Sequence, residues 1–342
     1  MRKPQIVVFR LLALFSLAAA AGCSSDQRAP SAGVQSHDTA RIGLSSHISY
    51  RRVVEADHPI AYWRLDEQQG RIAHDSSKNH VSGRIGAHVR IAQPPLIKDA
   101  ARSMAFLGAD KTRAPEDVRV PKNPLFERTT GISYETWVQP YTVNIHGHNT
   151  GDITLLSYGD DLNPDNQHCR WEVGLDAHSH VFNMQMVIYG RPTDSVGPHP
   201  RALALRLWDR LTGRKRLARE FYASPGSAGN PPQPNHVYQL VGTYDGKTIT
   251  MYINGVYNNS LAVEGKIDGY SARDGLSIGG EYADVNPVFF GRISEVSVYD
   301  YTLSPQRVLA HYCAAQPAAS VCGNRTGTVT PRHRTAFSAA LR

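Results

Sequence analysis

Hydrophobic and polar positions alternate along much of this chain. From Ile132 to Gln139, and again from His180 to Ile188, apolar side chains recur at every second position. A period of two places successive side chains on opposite faces of a β-strand. Shorter segments of the same character cover residues 236–244, 248–253, 276–278 and 293–298. Many short strands at regular spacing predict an all-β protein built as a sandwich or jelly roll.

Two dipeptides mark tight turns between the predicted strands. Asp245-Gly246 and Asn254-Gly255 each follow one strand-like segment directly. Two-residue hairpin turns require positive φ angles, which Gly, Asn and Asp adopt more easily than other residues. The sequence therefore predicts an antiparallel hairpin at both places.

One helix is predicted, close to the C-terminal end of the strand-rich region. Ser304 is a suitable N-cap, and Pro305 fits the first helical position. Val308, Leu309 and Tyr312 follow at spacings that place them on one helix face. This pattern is typical of a short amphipathic helix.

Residues 1–22 have the three-part plan of a secretory signal. Arg2, Lys3 and Arg10 are positively charged, an apolar run follows from Leu11 to Ala21, and small residues end it at Ala20-Ala21-Gly22. A membrane-spanning helix needs roughly 20 apolar residues, and Arg10 leaves too few here. We therefore predict a signal that is removed on export.

The stretch Ala20-Ala21-Gly22-Cys23 resembles the bacterial lipobox, although Ala20 stands where that motif favours leucine. The resemblance implies lipidation of Cys23; the alternative is an ordinary signal followed by a chance cysteine. Residues 23–49 are rich in small and polar residues and predict a flexible tether, about 25–30 Å in mean extent. Ser24 resembles the default signal for the outer rather than the inner membrane. The predicted location is therefore a lipid-anchored position in the bacterial cell envelope.

The charge distribution argues against a nucleic-acid partner. The chain carries a net charge of +7, with 37 basic and 30 acidic residues. Three basic residues lie in the signal and four in residues 316–342, and neither segment contains an acid. The region between them is therefore neutral overall, whereas nucleic-acid binding needs a basic face. Residues 316–342 are also poor in large apolar side chains and predict a basic, mobile tail.

Three cysteines remain besides Cys23. Cys313 and Cys322 are close enough in sequence to close a short disulfide loop. Cys169 then remains as a buried thiol, or it pairs with one of the other two. The spacing alone does not decide between these pairings.

Several motifs together resemble a laminin-G-like domain of the concanavalin A-like lectin/glucanase superfamily. They are Ala61–Glu67, Asp75–Asn79, Tyr134–Trp137, Val241–Gly246, Met251–Gly255, Phe290–Asp300 and His311-Tyr312. The resemblance covers residues 58–313 and implies a two-sheet antiparallel jelly roll with a shallow concave face, here within a domain at 50–315. Residues 189–235 are longer than the family core needs and predict an insertion near the rim.

No catalytic motif is found. Glycosidases need a pair of carboxylates across the groove, and the relatives that are glycosidases carry acids on alternate positions of one strand. Glu295 and Asp300 have the wrong spacing, and Glu135 stands alone. Glu172 and Asp176 are four residues apart, with the second at a predicted turn. We therefore expect solvated carboxylates and no enzyme activity.

A calcium site is the one metal site that the resemblance implies. The turn at Asp75–Asn79 resembles a segment that binds calcium in some relatives, through Asp75 and Asn79. Asp66 and Glu295 are further candidate oxygen ligands, of the kind calcium prefers. The alternative is a turn in which Asp75 accepts hydrogen bonds from its own backbone.

Aromatic side chains beside polar groups are the usual means of binding sugars. Trp171, Tyr189 and Trp208 are the candidates, because the family keeps the tryptophans at 63 and 137 in packed strands. Arg206 neighbours Trp208 in a basic stretch, residues 201–219, which fits an acidic glycan or anionic lipid headgroups; the alternative is a solvated hairpin.

The leading hypothesis is a membrane-tethered, non-catalytic module that binds a carbohydrate at the cell envelope. One alternative is a carbohydrate-active enzyme, a glycosidase or lyase, of the same fold. The other is a structural or adhesive protein that binds an envelope protein.

Overall fold

A computed structural model of the protein describes residues 49–108, 117–128, 130–142, 153–159, 170–176, 180–191, 219–223, 226–227, 229, 231–267, 275–280 and 289–323. Within these ranges most residues lie in β-strands. In chain order the strands are β1 (Ala61–Trp63), β2 (Ile72–Ala73), β3 (Gly83–Ile85), β4 (Arg90–Gln93), β5 (Ser103–Leu107), β6 (Val118–Val120), β7 (Ile132–Pro140), β8 (Ile153–Tyr158), β9 (Trp171–Leu175), β10 (Phe182–Arg191), β11 (Arg219–Ala223), β12 (Tyr238–Tyr244), β13 (Thr248–Ile253), β14 (Val256–Ala262), β15 (Glu264–Ile267), β16 (Leu276–Ile278) and β17 (Phe290–Tyr299).

The strands of the described residues form two antiparallel sheets that make a sandwich. The first sheet has eight strands in the order β14-β13-β12-β7-β17-β5-β4, with β1 paired to the second half of β17. The second has nine strands in the order β11-β10-β9-β8-β16-β6-β3-β2, with β15 also paired to β10. The predicted all-β, two-sheet fold is confirmed.

The alternating segments lie in strands as predicted. β7 covers the first of them, and its inward residues Ile132, Tyr134 and Val138 join the core between the sheets. Its outward residues are Glu135 and Trp137, which are also buried. A strand that is buried on both faces needs a second layer outside the sheet.

The two predicted turns differ in length. At Asn254-Gly255 both residues have positive φ, 52° and 77°, as a two-residue hairpin requires. The loop between β12 and β13 is one residue longer than predicted and contains Asp245, Gly246 and Lys247. Asp245 accepts hydrogen bonds through Oδ1 from the backbone N–H groups of Lys247 and Thr248, at 2.8 and 2.7 Å. This side-chain bonding stabilises the longer turn.

Three short α-helices occur in the described residues: α1 (Tyr50–Ala56), α2 (Pro305–Ala315) and α3 (Ser320–Gly323). The predicted helix is α2, and its N-cap is Ser304, whose side chain accepts from the backbone N–H of Arg307. A single turn of 3₁₀-helix covers Pro124–Phe126. No helix in the described ranges is long and apolar enough to span a membrane.

A disulfide between Cys313 and Cys322 ties α3 to the end of α2. The short-loop pairing is therefore confirmed, and neither cysteine is available to Cys169. The bond also corrects the predicted start of the mobile tail, because residues 316–323 form a turn and a helix fixed by this bridge. Residues 324–342 lie outside the described residues.

The outer face of the first sheet is covered by α1, α2 and the segment 96–100. Tyr50 of α1 packs edge-on against Trp137, with ring centroids 5.9 Å apart, and Tyr312 of α2 stacks on the same tryptophan at 5.8 Å. A second apolar cluster joins α2 to the sheet through Val308 and Tyr299. This face is therefore closed by the protein's own helices.

Candidate functional site

The outer face of the second sheet is polar along its centre. One row of directly opposed residues crosses five neighbouring strands, β6, β16, β8, β9 and β10. Directly opposed side chains point to the same side of a sheet. The row consists of Arg119, Ser277, Ser157, Glu172 and Gln185. At ~4.8 Å per strand, its four intervals span about 19 Å.

A second, shorter row lies beside the first and contains Thr154, Gly174 and Asn183. The absence of a side chain at Gly174 lets its neighbours converge. A Cβ atom at this position would lie 2.8 Å from Asn183 Oδ1 and 3.0 Å from Glu172 Oε1. Thr154 Oγ1 donates to the same Glu172 oxygen at 2.8 Å. We call Thr154, Ser157, Glu172, Asn183, Gln185 and Ser277 the polar patch; all six side chains are buried.

The β6 end of the patch is fixed by Asp117. Its Oδ2 accepts from the hydroxyl of Ser277 at 2.8 Å, and its Oδ1 forms an ion pair with Arg119 Nε at 3.0 Å. Burial raises the pKa of Asp117, although Arg119 and Ser277 act in the opposite direction. The carboxylate therefore orients two members of the row.

Hydroxyl, amide and carboxylate groups are the hydrogen-bonding partners that sugar hydroxyls need. A glycosidase would also need two carboxyl groups about 5–5.5 or 6.5–9.5 Å apart. The Asp117 carboxylate is bonded to the Ser277 side chain, two strands away from Glu172. Asp176 lies directly after β9, four residues beyond Glu172.

Trp171, one of the aromatic candidates for sugar binding, does not lie on this face. Trp171 is fully buried in the core, where it stacks on Tyr134 and Tyr158 with ring centroids 5.0 and 5.8 Å away. The prediction that Trp171 contacts a ligand is therefore wrong, because it occupies an inward position of β9. Tyr189 lies in β10, opposite Glu220 of β11. Cys23, Cys169, Arg206 and Trp208 lie outside the described residues, as does most of the predicted insertion at 189–235.

Asp75 and Asn79 form a turn bonded to the protein itself. Asp75 accepts four hydrogen bonds, from the backbone N–H groups of Tyr62, Ser77 and Val81 and from the Ser77 hydroxyl, all at 2.7–2.8 Å. Asn79 Nδ2 donates to the carbonyl of Ile60 at 2.8 Å. The structure thus shows the self-bonded turn. Calcium binding here stays a prediction, and a cation at Asp75 would have to displace these donors.

Asp66 and Glu295 both lie beside the guanidinium of Arg64. Arg64 pairs with Asp66 at 2.8 Å through Nη1 and lies 3.9 Å from Glu295 through Nε. Glu295 also accepts a hydrogen bond from the hydroxyl of Tyr62. Burial raises the pKa of Glu295 to about 7. In the described residues, no group of three or more His, Cys, Asp or Glu side chains could hold a metal ion.

A second polar cluster lies beneath the helices on the first sheet. His311 of α2 is fully buried between two carboxylates: Nδ1 is 2.6 Å from Glu135 and Nε2 is 2.8 Å from Asp57. Burial alone would lower the pKa of His311, but Glu135 and Asp57 raise it to about 9. A doubly protonated ring donates to both carboxylates. We call His311, Glu135 and Asp57 the histidine clasp.

Hydrogen bonds from neighbouring elements complete the clasp. Glu135 Oε1 accepts from the Tyr50 hydroxyl at 2.8 Å and from Gln239 Nε2 at 2.6 Å. Arg307 Nε donates to Asp57 at 2.8 Å. Burial alone would raise the pKa of Asp57, but hydrogen bonds from His311 and Arg307 hold it below its usual value. His311 and Glu135 are fully buried and the clasp joins structural elements, so we assign it a role in stability.

The prediction of solvated carboxylates is wrong for Glu135, Glu172 and Glu295, all of which are buried. One sequence signal for burial of Glu135 is Trp137, a large apolar side chain two residues further along the same strand face. For Glu172, the alternation of Trp171 and Val173 indicated only that the carboxylate faces outward.

Residues 209–309 match the family model described as the concanavalin A-like lectin/glucanases superfamily. The two-sheet antiparallel sandwich agrees with that description. The matched segment includes β12, β13, β14 and β17, which confirms the resemblance there; the motifs at 61–67 and 75–79 lie outside it. No curated protein matches the chain.

Solved structures of similar fold share little sequence with this chain. Domain 4 of AbnA, an extracellular arabinanase from Geobacillus stearothermophilus, in complex with arabinotriose, is 15% identical over 74% of this chain and 98% of its own, with a TM-score of 0.42. The binding domain of Paraclostridial Mosquitocidal Protein 1 is 15% identical over 75% and 52%, with a TM-score of 0.49. The ligand binding domain of botulinum neurotoxin serotype D, in complex with N-acetylneuraminic acid, is 15% identical over 76% and 52%, at 0.46. This chain thus spans about half of the two toxin structures, and at these levels the similarity carries no argument about function.

Proposed function

We propose that this protein is a non-catalytic carbohydrate-binding module, anchored through Cys23 at the bacterial cell envelope. The observation that carries the proposal is the polar patch. One outer face of the sandwich carries the helices, whereas the other carries buried hydroxyl, amide and carboxylate groups in register across five strands. A row of this length offers an oligosaccharide several hydrogen bonds in sequence.

The chemistry of the patch supports binding rather than catalysis. The sequence lacks the acids on alternate strand positions that related glycosidases carry. Glu172 Oε1 already accepts from Thr154, so it is held as an acceptor. Buried hydrogen bonds to a ligand face little competition from water. The patch therefore has the properties of a recognition surface.

A glycan array probed with the domain, residues 45–323, tests the proposal, with calcium present in one arm and absent in the other. Wild type is expected to bind at least one class of glycan. The double variant Glu172→Gln, Gln185→Ala is expected to bind it about tenfold or more weakly, since each lost hydrogen bond contributes about 0.5–1.5 kcal/mol and more with a charged partner.

Gln68→Ala is the matched control, because Gln68 is exposed in the loop after β1; it should bind like wild type. Thermal unfolding of each variant shows whether the fold is kept. If wild type binds no glycan and instead retains one envelope protein, the carbohydrate proposal fails. Cleavage of a bound polysaccharide would contradict the non-catalytic role.

A further inference from the structure

Three neighbouring strands of the first sheet place polar side chains in one row beneath the helices. Ser294 of β17 and Gln239 of β12 both lie directly opposite Trp137 of β7. Directly opposed side chains point to the same side of a sheet. Trp137 identifies that side as the outer one, because its ring contacts Tyr50 of α1 and Tyr312 of α2. The row therefore lies between the first sheet and the helices that cover it.

Each member of the row has a buried polar atom without a hydrogen-bond partner. Ser294 and Gln239 are completely buried, and Trp137 is 1% exposed. Among the described residues, no group bonds Ser294 Oγ, Trp137 Nε1 or Gln239 Oε1. A buried polar group without a partner is unfavourable, because it has lost its hydrogen bonds to water and gained none in return. Three such atoms in one row therefore need a common explanation.

The cluster that packs over the row does not supply the missing partners. Its aliphatic members are Val54, Leu96, Ile97, Ala100 and Ala315. The Tyr50 hydroxyl, in the same cluster, donates to Glu135. The Tyr62 hydroxyl donates to Glu295. The described residues around the row thus leave its three polar atoms unbonded.

The hydrogen-bonding character of the row determines what can bind there. An indole Nε1 can only donate. Gln239 Nε2 donates to Glu135 at 2.6 Å, so the remaining amide atom of Gln239 is the acceptor Oε1. An occupant must therefore accept one hydrogen bond and donate another, which a simple cation or anion cannot do. Complete burial restricts the occupant to the size of water, which bonds buried polar groups in most folded proteins.

We propose that ordered water molecules bind along this row and extend the hydrogen-bond network of the histidine clasp. Water accepts from Trp137 Nε1, donates to Gln239 Oε1 and hydrogen-bonds to the Ser294 hydroxyl. Gln239 connects this water to Glu135, and Glu135 connects it to His311. Water then holds the helices on the first sheet together with the direct contacts. The inference is independent of carbohydrate binding on the second sheet.

A high-resolution crystal structure of the protein tests the water site. Water oxygens are expected within hydrogen-bonding distance of Ser294 Oγ, Trp137 Nε1 and Gln239 Oε1. A dry row, or direct protein partners for the three atoms, would refute the proposal.

Thermal unfolding of Ser294→Ala supplies an independent readout. If water bonds the Ser294 hydroxyl, alanine removes a hydrogen bond and should lower the unfolding temperature by about 1–6 °C. Removing an unbonded buried hydroxyl has the opposite effect, so an unchanged or higher unfolding temperature would contradict the proposal. Ser76→Ala, at an exposed position, is the control and should unfold like wild type.

Discussion

At the scale of single residues, His311 joins parts of the chain that are far apart in sequence. Its ring bridges Glu135 in the first sheet and Asp57 directly after α1. Because both carboxylates favour the charged ring, the pKa of His311 is about 9 in the folded protein. In the unfolded chain the same ring titrates near 6.5. The clasp is therefore a source of pH-dependent stability.

The free energy of unfolding should decrease as the pH rises from about 6.5 to 9. A pKa that is raised on folding stabilises the fold fully below the unfolded pKa, and this contribution is lost as the pH passes the folded value. For His311 the contribution is on the order of 3 kcal/mol. Urea unfolding of wild type and His311→Gln from pH 5 to 10 measures it.

His311→Gln should be less stable than wild type at pH 6 and should vary less with pH across this window. Glu295 adds to the wild-type slope in the same direction, since burial raises its pKa to about 7 and its contribution is lost between about pH 4.5 and 7. His88→Gln, at an exposed position, is the control. Parallel pH profiles for wild type and His311→Gln would contradict a charged, buried His311.

Residue roles were the least predictable part of the sequence. Trp171 and Glu172 are neighbours on β9, and the alternation that turns the tryptophan inward also turns the carboxylate outward. We expected the tryptophan at the surface because aromatic residues bind sugars. The alternation along the strand, which places Trp171 in the core, was the better guide. Glu135 and His311 are 176 residues apart in sequence, and no local pattern encodes such a contact.

At the scale of elements, the two sheets are tightly packed where β12 has no side chain. A Cβ atom on Gly242 would lie 2.2 Å from Cε2 of Tyr134 and 2.6 Å from Sδ of Met184. Tyr134 lies directly opposite in β7, and Met184 belongs to the second sheet. The glycine therefore leaves room for a tyrosine ring and a methionine from the facing layer.

Gly242→Ala should destabilise the sandwich by about 1–3 kcal/mol, the usual cost of overpacking a core. Denaturant unfolding gives the difference in free energy. Gly323→Ala is the matched control, because a Cβ there meets no atom within 4 Å. Equal stability of the two variants would show that the sheets are less closely packed at this point.

The bridge between α2 and α3 stabilises the end of the fold. Replacing both Cys313 and Cys322 with Ser should lower the free energy of unfolding by about 2–3 kcal/mol, the chain-entropy value for a loop of this size. Reduction of the wild-type protein should give the same loss in urea unfolding. Ser320→Ala in α3 serves as the control. If reduction leaves the unfolding midpoint unchanged, the bridge is not a stabilising element.

The strands could be predicted from sequence because alternation and turn residues are local signals. β13 and β16 have the predicted bounds, and Asn254-Gly255 forms the predicted turn. Helix α1 was missed because it has seven residues, too few for a clear period of 3.6. Tyr50, Val53 and Val54 nevertheless have the spacing of one helix face.

At the scale of the whole molecule, the two outer faces of the sandwich differ in what lies on them. The first is covered by α1 and α2, and α1 begins directly after the predicted tether. The second holds the buried polar patch. A lipid on Cys23 would attach the chain at the end that leads into α1.

Cys23→Ser should release the protein from the membrane, because the acyl chains implied by the lipobox would be absent. Fractionation of cells that produce each form, with metabolic labelling by a radioactive fatty acid, makes the comparison. Ser24→Ala is the control and should stay in the membrane fraction. A Cys23→Ser protein that remains in the membrane fraction would refute the anchor.

Ligand binding on the outer face of the second sheet is tested most directly by a crystal structure of residues 45–323 with the tightest-binding glycan of the array. We predict sugar hydroxyls within hydrogen-bonding distance of Ser157, Glu172 and Gln185. A glycan seated instead at the Asp75 turn, or on the first sheet, would contradict the claim.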